Sequence, residues 1–172
     1  VRVVQQPSKQ AEADFVLRDA TGADARPLAE FLATLAPGSR PLGFFDQAGA
    51  TRIDAYWASP GGSVDHFGVV AEDPTGQIVG HAAYIRLYGP RAELVLDLAQ
   101  HVDRPALAKR LIERLSEVAR AKGIRRFITT GSIGHGDLTA IFFGGRTDAS
   151  GSTRAVIEFA TAGVADGQPS VG

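Results

Sequence analysis

The run Ala92 to Ala99 holds two carboxylates, Glu93 and Asp97, among leucines at 94, 96 and 98. Strict alternation of this kind is a strand pattern, and residues four apart on a strand share one face, so both acids project the same way. A carboxylate on a strand that borders a cleft can accept a proton, as a general base must. Alternating acids on a half-exposed strand are equally consistent with simple solvation. A second candidate begins at Asp103-Arg104-Pro105-Ala106, where a long helix opens. Helix starts hold anions through unpaired amides and the macrodipole. Here Asp103 is a good N-cap that can accept those amides itself, and Pro105 has no N–H to offer. Arg104, Lys109 and Arg110 place cations at or near that mouth, where they can meet phosphate oxygens directly or simply be solvated.

Other constellations are weaker. Gly131-Ser132-Ile133-Gly134-His135-Gly136 sits between a strand and a helix, but its glycines are in the wrong order for a dinucleotide fingerprint and no Gly-Lys-Ser/Thr follows. Ser132 lies near His135 outside any Gly-x-Ser-x-Gly frame, which argues against a hydrolase. His66, His81, His101 and His135 are scattered without metal-ligand spacing and read as ordinary polar residues; no metal is expected. The absence of cysteine excludes a thiolate nucleophile. Lys109, Arg110, Arg114, Arg120, Lys122, Arg125 and Arg126 are interrupted by Glu113 and Glu117 and lack interleaved aromatics, so no nucleic-acid partner is expected.

The elements that position these residues come from periodicity. The 172 residues, 44% hydrophobic and with a formal net charge of −1, suit one domain with one core and no global field toward polyanions. No apolar run approaches the roughly 20 residues of a spanning helix, so no membrane partner is expected and the chain reads as cytoplasmic. Residues 1–13 and 161–172 lack an apolar period and read as weakly ordered ends around a domain over 14–160. Within it, a strand at Phe15 to Leu17 feeds a helix with Leu28, Phe31, Leu32 and Leu35 on one stripe. Ser39 to Ala58 reads as short helical pieces. Strands over Phe67 to Glu72, Gln77 to Leu87 and Ala92 to Ala99 are joined by the turns Asp73-Pro74-Thr75-Gly76 and Tyr88-Gly89-Pro90. The helix Arg104 to Lys122 ends at Gly123 as a C-cap. A strand over Arg125 to Thr130, a short helix over Asp137 to Phe143 and a strand over Thr153 to Phe159 complete an α/β domain.

This order resembles the GNAT acetyltransferases, nearest to their bacterial protein-lysine acetyltransferase branch. The local text over about Asp14 to Arg146 carries the likeness: Val16-Leu17-Arg18-Asp19-Ala20, Ser39-Arg40-Pro41-Leu42-Gly43-Phe44-Phe45, Gly76-Gln77-Ile78-Val79-Gly80 and, most strongly, Glu113 to Phe127 (ERLSEVARAKGIRRF). The resemblance implies a mixed, largely antiparallel central sheet flanked by helices, acetyl-CoA as acyl donor, and an amine acceptor that is a protein lysine or a small molecule. It implies that Glu93, in an Ala-Glu pair opening the fourth strand, is the general base. The backbone of Leu96, Leu98 and Ala99 would meet the pantetheine arm. The pyrophosphate would lie on Arg104, Ala106, Leu107, Ala108 and Lys109. Against the family pattern of Gln or Arg, two residues, Gly, one residue, and Gly or Ala, the segment Asp103 to Ala108 matches only at Ala108. That degenerate loop makes a catalytically inactive binding or regulatory module the alternative expectation. Many relatives carry a tyrosine on the helix after the fifth strand; this chain has none there, and His135 precedes that helix, roughly where the similar family often has an asparagine near the donor, where a histidine can hydrogen-bond, give a proton or simply be solvated.

Overall fold

The computed structural model describes residues 14–35, 45, 48–132 and 154–161. The readings on 1–13, on 39–44, on the helix over 137–143, on His135 and on 162–172 lie outside the described residues. The strands are β1 (Val16–Asp19), β2 (His66–Glu72), β3 (Ile78–Arg86), β4 (Arg91–Leu98), β5 (Arg126–Ser132) and β6 (Arg154–Ala160). The helices are α1 (Ala25–Thr34), α2 (Ala50–Ala58) and α3 (Arg104–Ala121). The strands form one six-stranded sheet in sequence order. Every neighbouring pair is antiparallel except β4 and β5, which run parallel. This is the mixed, largely antiparallel α/β sheet expected.

Turn chemistry sets the registers. Asp73 Oδ1 accepts from the amides of Thr75 (2.8 Å) and Gln77 (3.1 Å), closing the β2–β3 hairpin. Leu87 N donates to Arg91 O at 3.0 Å, so β3 and β4 pair about Gly89 and Arg86 faces Ala92. The amides of Arg125 and Arg126 both donate to Pro90 O, at 2.8 and 3.1 Å, which seats the start of β5 beside that same turn.

The two faces of the sheet are covered differently. α1 and α3 pack on one, where Leu28 and Phe31 join Leu107, Leu111 and Leu115 over Val79, Tyr84, Leu94, Leu96 and Leu98. Leu107, Leu111 and Leu115 are fully buried, and each stabilises the fold by about 2 kcal/mol. α3 stops at Gly123, whose φ of 79° is the left-handed C-cap conformation that glycine adopts without strain. The opposite face carries Ala83, Ile85 and Val95 beneath Phe45, Ala48 and Tyr56, with Ile53 and Trp57 at the margin of α2. At the outer edge, Arg18 bonds both Asp24 carboxylate oxygens (2.8 and 2.7 Å) and also Glu72, tying β1 to β2 and to the start of α1. The Arg18 guanidinium, helped by the Thr21 amide, holds the Asp24 carboxyl down at about 2.

Candidate active site

β4 and β5 are paired only over Arg91–Glu93 and Arg126–Ile128. Beyond that point β4 continues to Leu98 and β5 to Ser132, so the two strands part and leave a wedge. Backbone groups alternate sides along a strand. Ala99 N donates to Val79 O at 2.9 Å, toward β3. By alternation the main-chain groups of Leu94, Leu96 and Leu98 are turned from β3 toward the side where the β5 ladder has ended. The wedge thus offers a row of peptide groups, while the side chains of these three leucines are wholly buried in the α1/α3 core. Of the expected pantetheine contacts, Leu96 and Leu98 stand in that row, and the Ala99 amide is committed to β3.

Glu93 is the last β4 residue in the β5 ladder, paired with Ile128, and so stands at the vertex of the wedge. Its side chain lies on the α2 face and is fully buried, with Oε2 accepting the Ala48 amide at 2.9 Å. A hydrogen bond from a backbone amide offsets the desolvation of a buried carboxylate. Asp97 shares this face at 1% exposure. Both acids are therefore interior groups with partners, which overturns the reading of them as solvated residues on a half-exposed strand. The reason is that Phe45, Ala48 and α2, with Ile53, Tyr56 and Trp57, cover the face that an uncovered hairpin would leave wet.

His81 is opposite Asp97 in the β3–β4 register and is likewise fully buried. Its Nδ1 lies 3.0 Å from Asp97 Oδ2, and its Nε2 lies 2.6 Å from the Tyr56 hydroxyl. His81 is thus not an ordinary polar residue as its scattered sequence position suggested. Burial, with Asp97 nearby, pushes the Tyr56 phenol well above its ordinary value, so the hydroxyl keeps its proton and has one to donate. A carboxylate accepting from Nδ1–H would leave Nε2 to accept from the phenol, the tautomer that satisfies both contacts. Tyr56 reaches the sheet because β2 has Gly68 below it: a Cβ there would lie 2.5 Å from the Tyr56 oxygen. Sequence reasoning missed Tyr56 and His81. The signal was available, because His81 and Asp97 are equidistant from Gly89 at the hairpin turn.

Residues 99–103 carry the chain from the end of β4 to the start of α3, so that helix opens at the wide end of the wedge. Asp103 Oδ1 accepts from Ala106 N at 3.2 Å, and Asp103 O accepts from Leu107 N at 3.0 Å. With Pro105 lacking a donor, much of the amide cradle that a pyrophosphate would use is already engaged. Leu107 and Ala108 are fully buried and can contribute main chain alone. Lys109 is exposed and lies 3.7 Å from Glu113, while Arg110 Nη2 donates to Phe15 O at 3.3 Å. Arg104 is half-buried at the helix start. A cleft of about 710 Å³ between α1, the β2–β3 turn and Ala99–His101 is lined by Arg18 and Glu72 and not by Glu93. No helix among the described residues is long and apolar enough to cross a membrane.

No protein-family model matches the sequence, and no match was found among curated proteins. Solved structures do match in shape. The GNAT domain of S. lividans PAT aligns at TM-score 0.59 and 20% identity, over 84% of this chain and 89% of that one. A form of the spermidine N-acetyltransferase SpeG from Vibrio cholerae aligns at TM-score 0.60 and 10% identity, over 90% of this chain and 98% of that one. A phosphinothricin acetyltransferase from Sinorhizobium meliloti, in complex with acetyl-CoA, aligns at TM-score 0.50 and 20% identity, over 68% of this chain and 65% of that one. With its sheet order, its parted fourth and fifth strands and these likenesses, the chain has the fold of the GNAT acetyltransferases.

Proposed function

We propose that the protein is an acyl-CoA-dependent N-acyltransferase, taking acetyl-CoA as donor and an amine, a protein lysine or a small molecule, as acceptor. The observation that carries this reading is the placement of a buried carboxylate, Glu93, at the vertex of the β4–β5 wedge. The thioester would lie along the main chain of Leu94, Leu96 and Leu98, with its pyrophosphate near the start of α3 and the Arg104 guanidinium. The acceptor would come from the α2 side. Its nitrogen attacks the thioester carbonyl carbon, the new C–N bond replaces the C–S bond, and CoA leaves as a thiolate. Before the attack Glu93 takes one proton from the acceptor's ammonium; the nitrogen gives up its second proton as the amide forms, and the thiolate takes one up, with His135 as the proposed relay between them. Wedge amides turned toward the carbonyl would stabilise the oxyanion. The experiment is turnover of acetyl-CoA against a panel of lysine peptides and polyamines, with Glu93→Gln as control. Loss of a general base costs about 10²- to 10⁴-fold in rate. An active protein whose Glu93→Gln form keeps full turnover would remove Glu93 from the mechanism.

The bond between Asp103 and the Ala106 amide favours a second reading, in which the fold is kept as a binding or regulatory module without normal acetyl-CoA affinity. It predicts no turnover with any acceptor and a folded domain indifferent to the donor.

A further inference from the structure

The chain Asp97–His81–Tyr56 is buried and hydrogen-bonded, and the acyl-transfer chemistry above does not use it. All three side chains are as buried as Glu93, but each is held within the chain by its own hydrogen bonds, and none stands at the vertex of the wedge. What the chain joins is more informative. Asp97 is on β4, His81 on β3, and Tyr56 on α2, so the two hydrogen bonds link the sheet to the one helix described on this face. α2 begins two residues after Ala48, whose amide is bound to Glu93. Phe45 packs its ring against Tyr56 and Trp57 at centroid distances of 5.4 and 6.0 Å, so this end of the covering segment leans on α2 as well. The Tyr56 ring also meets His66 edge-on at 5.3 Å.

Apolar contact alone leaves a short helix free to slide on a flat sheet, because dispersion and burial are not directional. Hydrogen bonds are directional and fix register. We propose that Asp97, His81 and Tyr56 are positioning residues: they lock α2 in one place on the sheet and thereby hold the Ala48 amide on the Glu93 carboxylate. Each group fits this role. Gly68 leaves the space for the phenol, Asp97 sets the His81 tautomer, and the tautomer leaves Nε2 as the acceptor for Tyr56. Its meaning for catalysis rests on the reading of Glu93 as the base, but the linkage itself is testable without turnover.

Tyr56→Phe keeps the ring and removes only the hydroxyl. Hydrogen exchange of the Ala48 amide, followed by NMR, should then accelerate about three- to tenfold, the worth of one hydrogen bond, and by more than that of the Leu111 amide in α3, which reports opening of the core. Asp97→Leu should do the same by removing the partner of His81 Nδ1. In the unaltered protein, ¹⁵N spectra should show His81 protonated at Nδ1 with an accepting Nε2, a readout that does not depend on how the variants fold. Unchanged Ala48 exchange in a folded Tyr56→Phe protein, or a His81 signal from the Nε2–H tautomer, would overturn the proposal. If the protein turns over acetyl-CoA, Tyr56→Phe should lower kcat with little change in the donor KM, since the wedge is formed by β4 and β5. Altered Ala48 exchange in a protein without turnover would uphold the linkage and reject the enzyme reading alone.

Discussion

Replacing Gly68 with alanine puts a methyl group 2.5 Å from the Tyr56 oxygen, 3.1 Å from Pro60 O and 3.3 Å from Ala20 Cβ. One neighbour is backbone and another is a hydroxyl held by His81, so neither can yield by a simple rotamer change. Overpacking of this kind costs about 1–3 kcal/mol. If the phenol gives way, the hydrogen bond to His81 is lost as well, for about 1 kcal/mol more. The sum, about 2–4 kcal/mol, corresponds to a fall in Tm of roughly 5–15 °C for a domain of this size. Gly80→Ala is the control. Its Cβ would lie 2.9 Å from Leu107 Cδ2 and 3.1 Å from Leu111 Cδ1, both free ends of flexible side chains that can shift. Thermal unfolding by circular dichroism should therefore rank Gly68→Ala as clearly less stable than Gly80→Ala. Adding Tyr56→Phe removes the closest clashing atom, so the Gly68→Ala/Tyr56→Phe pair should be less destabilised than the sum of its parts. A Gly68→Ala protein melting within about 2 °C of the parent would refute the close packing of Tyr56 on β2.

Three further outcomes follow from the geometry. Asp103→Ala removes the cap on Ala106 and should cost about 1 kcal/mol in urea unfolding, yet strengthen binding of free CoA in a calorimetric titration by vacating the helix start. Unchanged CoA affinity in that variant would show that Asp103 does not obstruct the site. Asp24 is held at about 2, below the ordinary aspartate value of 3.8, so its ion pair with Arg18 stabilises the fold fully above about pH 4 and is lost as pH falls toward 2; this removes about 2 kcal/mol, and Asp24→Asn should flatten that part of the acid-unfolding curve. Arg18→Met should produce the same flattening together with a loss of stability near neutral pH, because it leaves the Asp24 and Glu72 carboxylates without their shared cation.

Much of the fold was legible because its signals are local. Leu107, Leu111 and Leu115 announce α3, Gly123 ends it, and the Asp73-Pro74-Thr75-Gly76 turn frames β2 and β3 to within a residue or two. Glu93 and the self-capped start of α3 could be singled out for similar reasons: one belongs to an alternating strand, the other to a short capping motif. The burial of Glu93 and Asp97 was not legible, because it depends on where the segment 45–58 lands, and neither Phe45 nor Trp57 states in sequence which face it covers. The Asp97–His81–Tyr56 chain needed two long-range facts at once. The hairpin register could have supplied the first, His81 opposite Asp97. The docking of α2 over Gly68 supplies the second, and it exists only in three dimensions.

The proposed acyl transfer requires a CoA thioester in the wedge between β4 and β5. Acetyl-CoA titrated into ¹⁵N-labelled protein tests this directly. Saturable binding is expected, with the amide shifts of Leu94, Leu96 and Leu98 and of the first turn of α3 moving together and the Arg18 region unaffected. No shift at millimolar donor, or shifts confined to the cleft around Arg18 and Glu72, would contradict it.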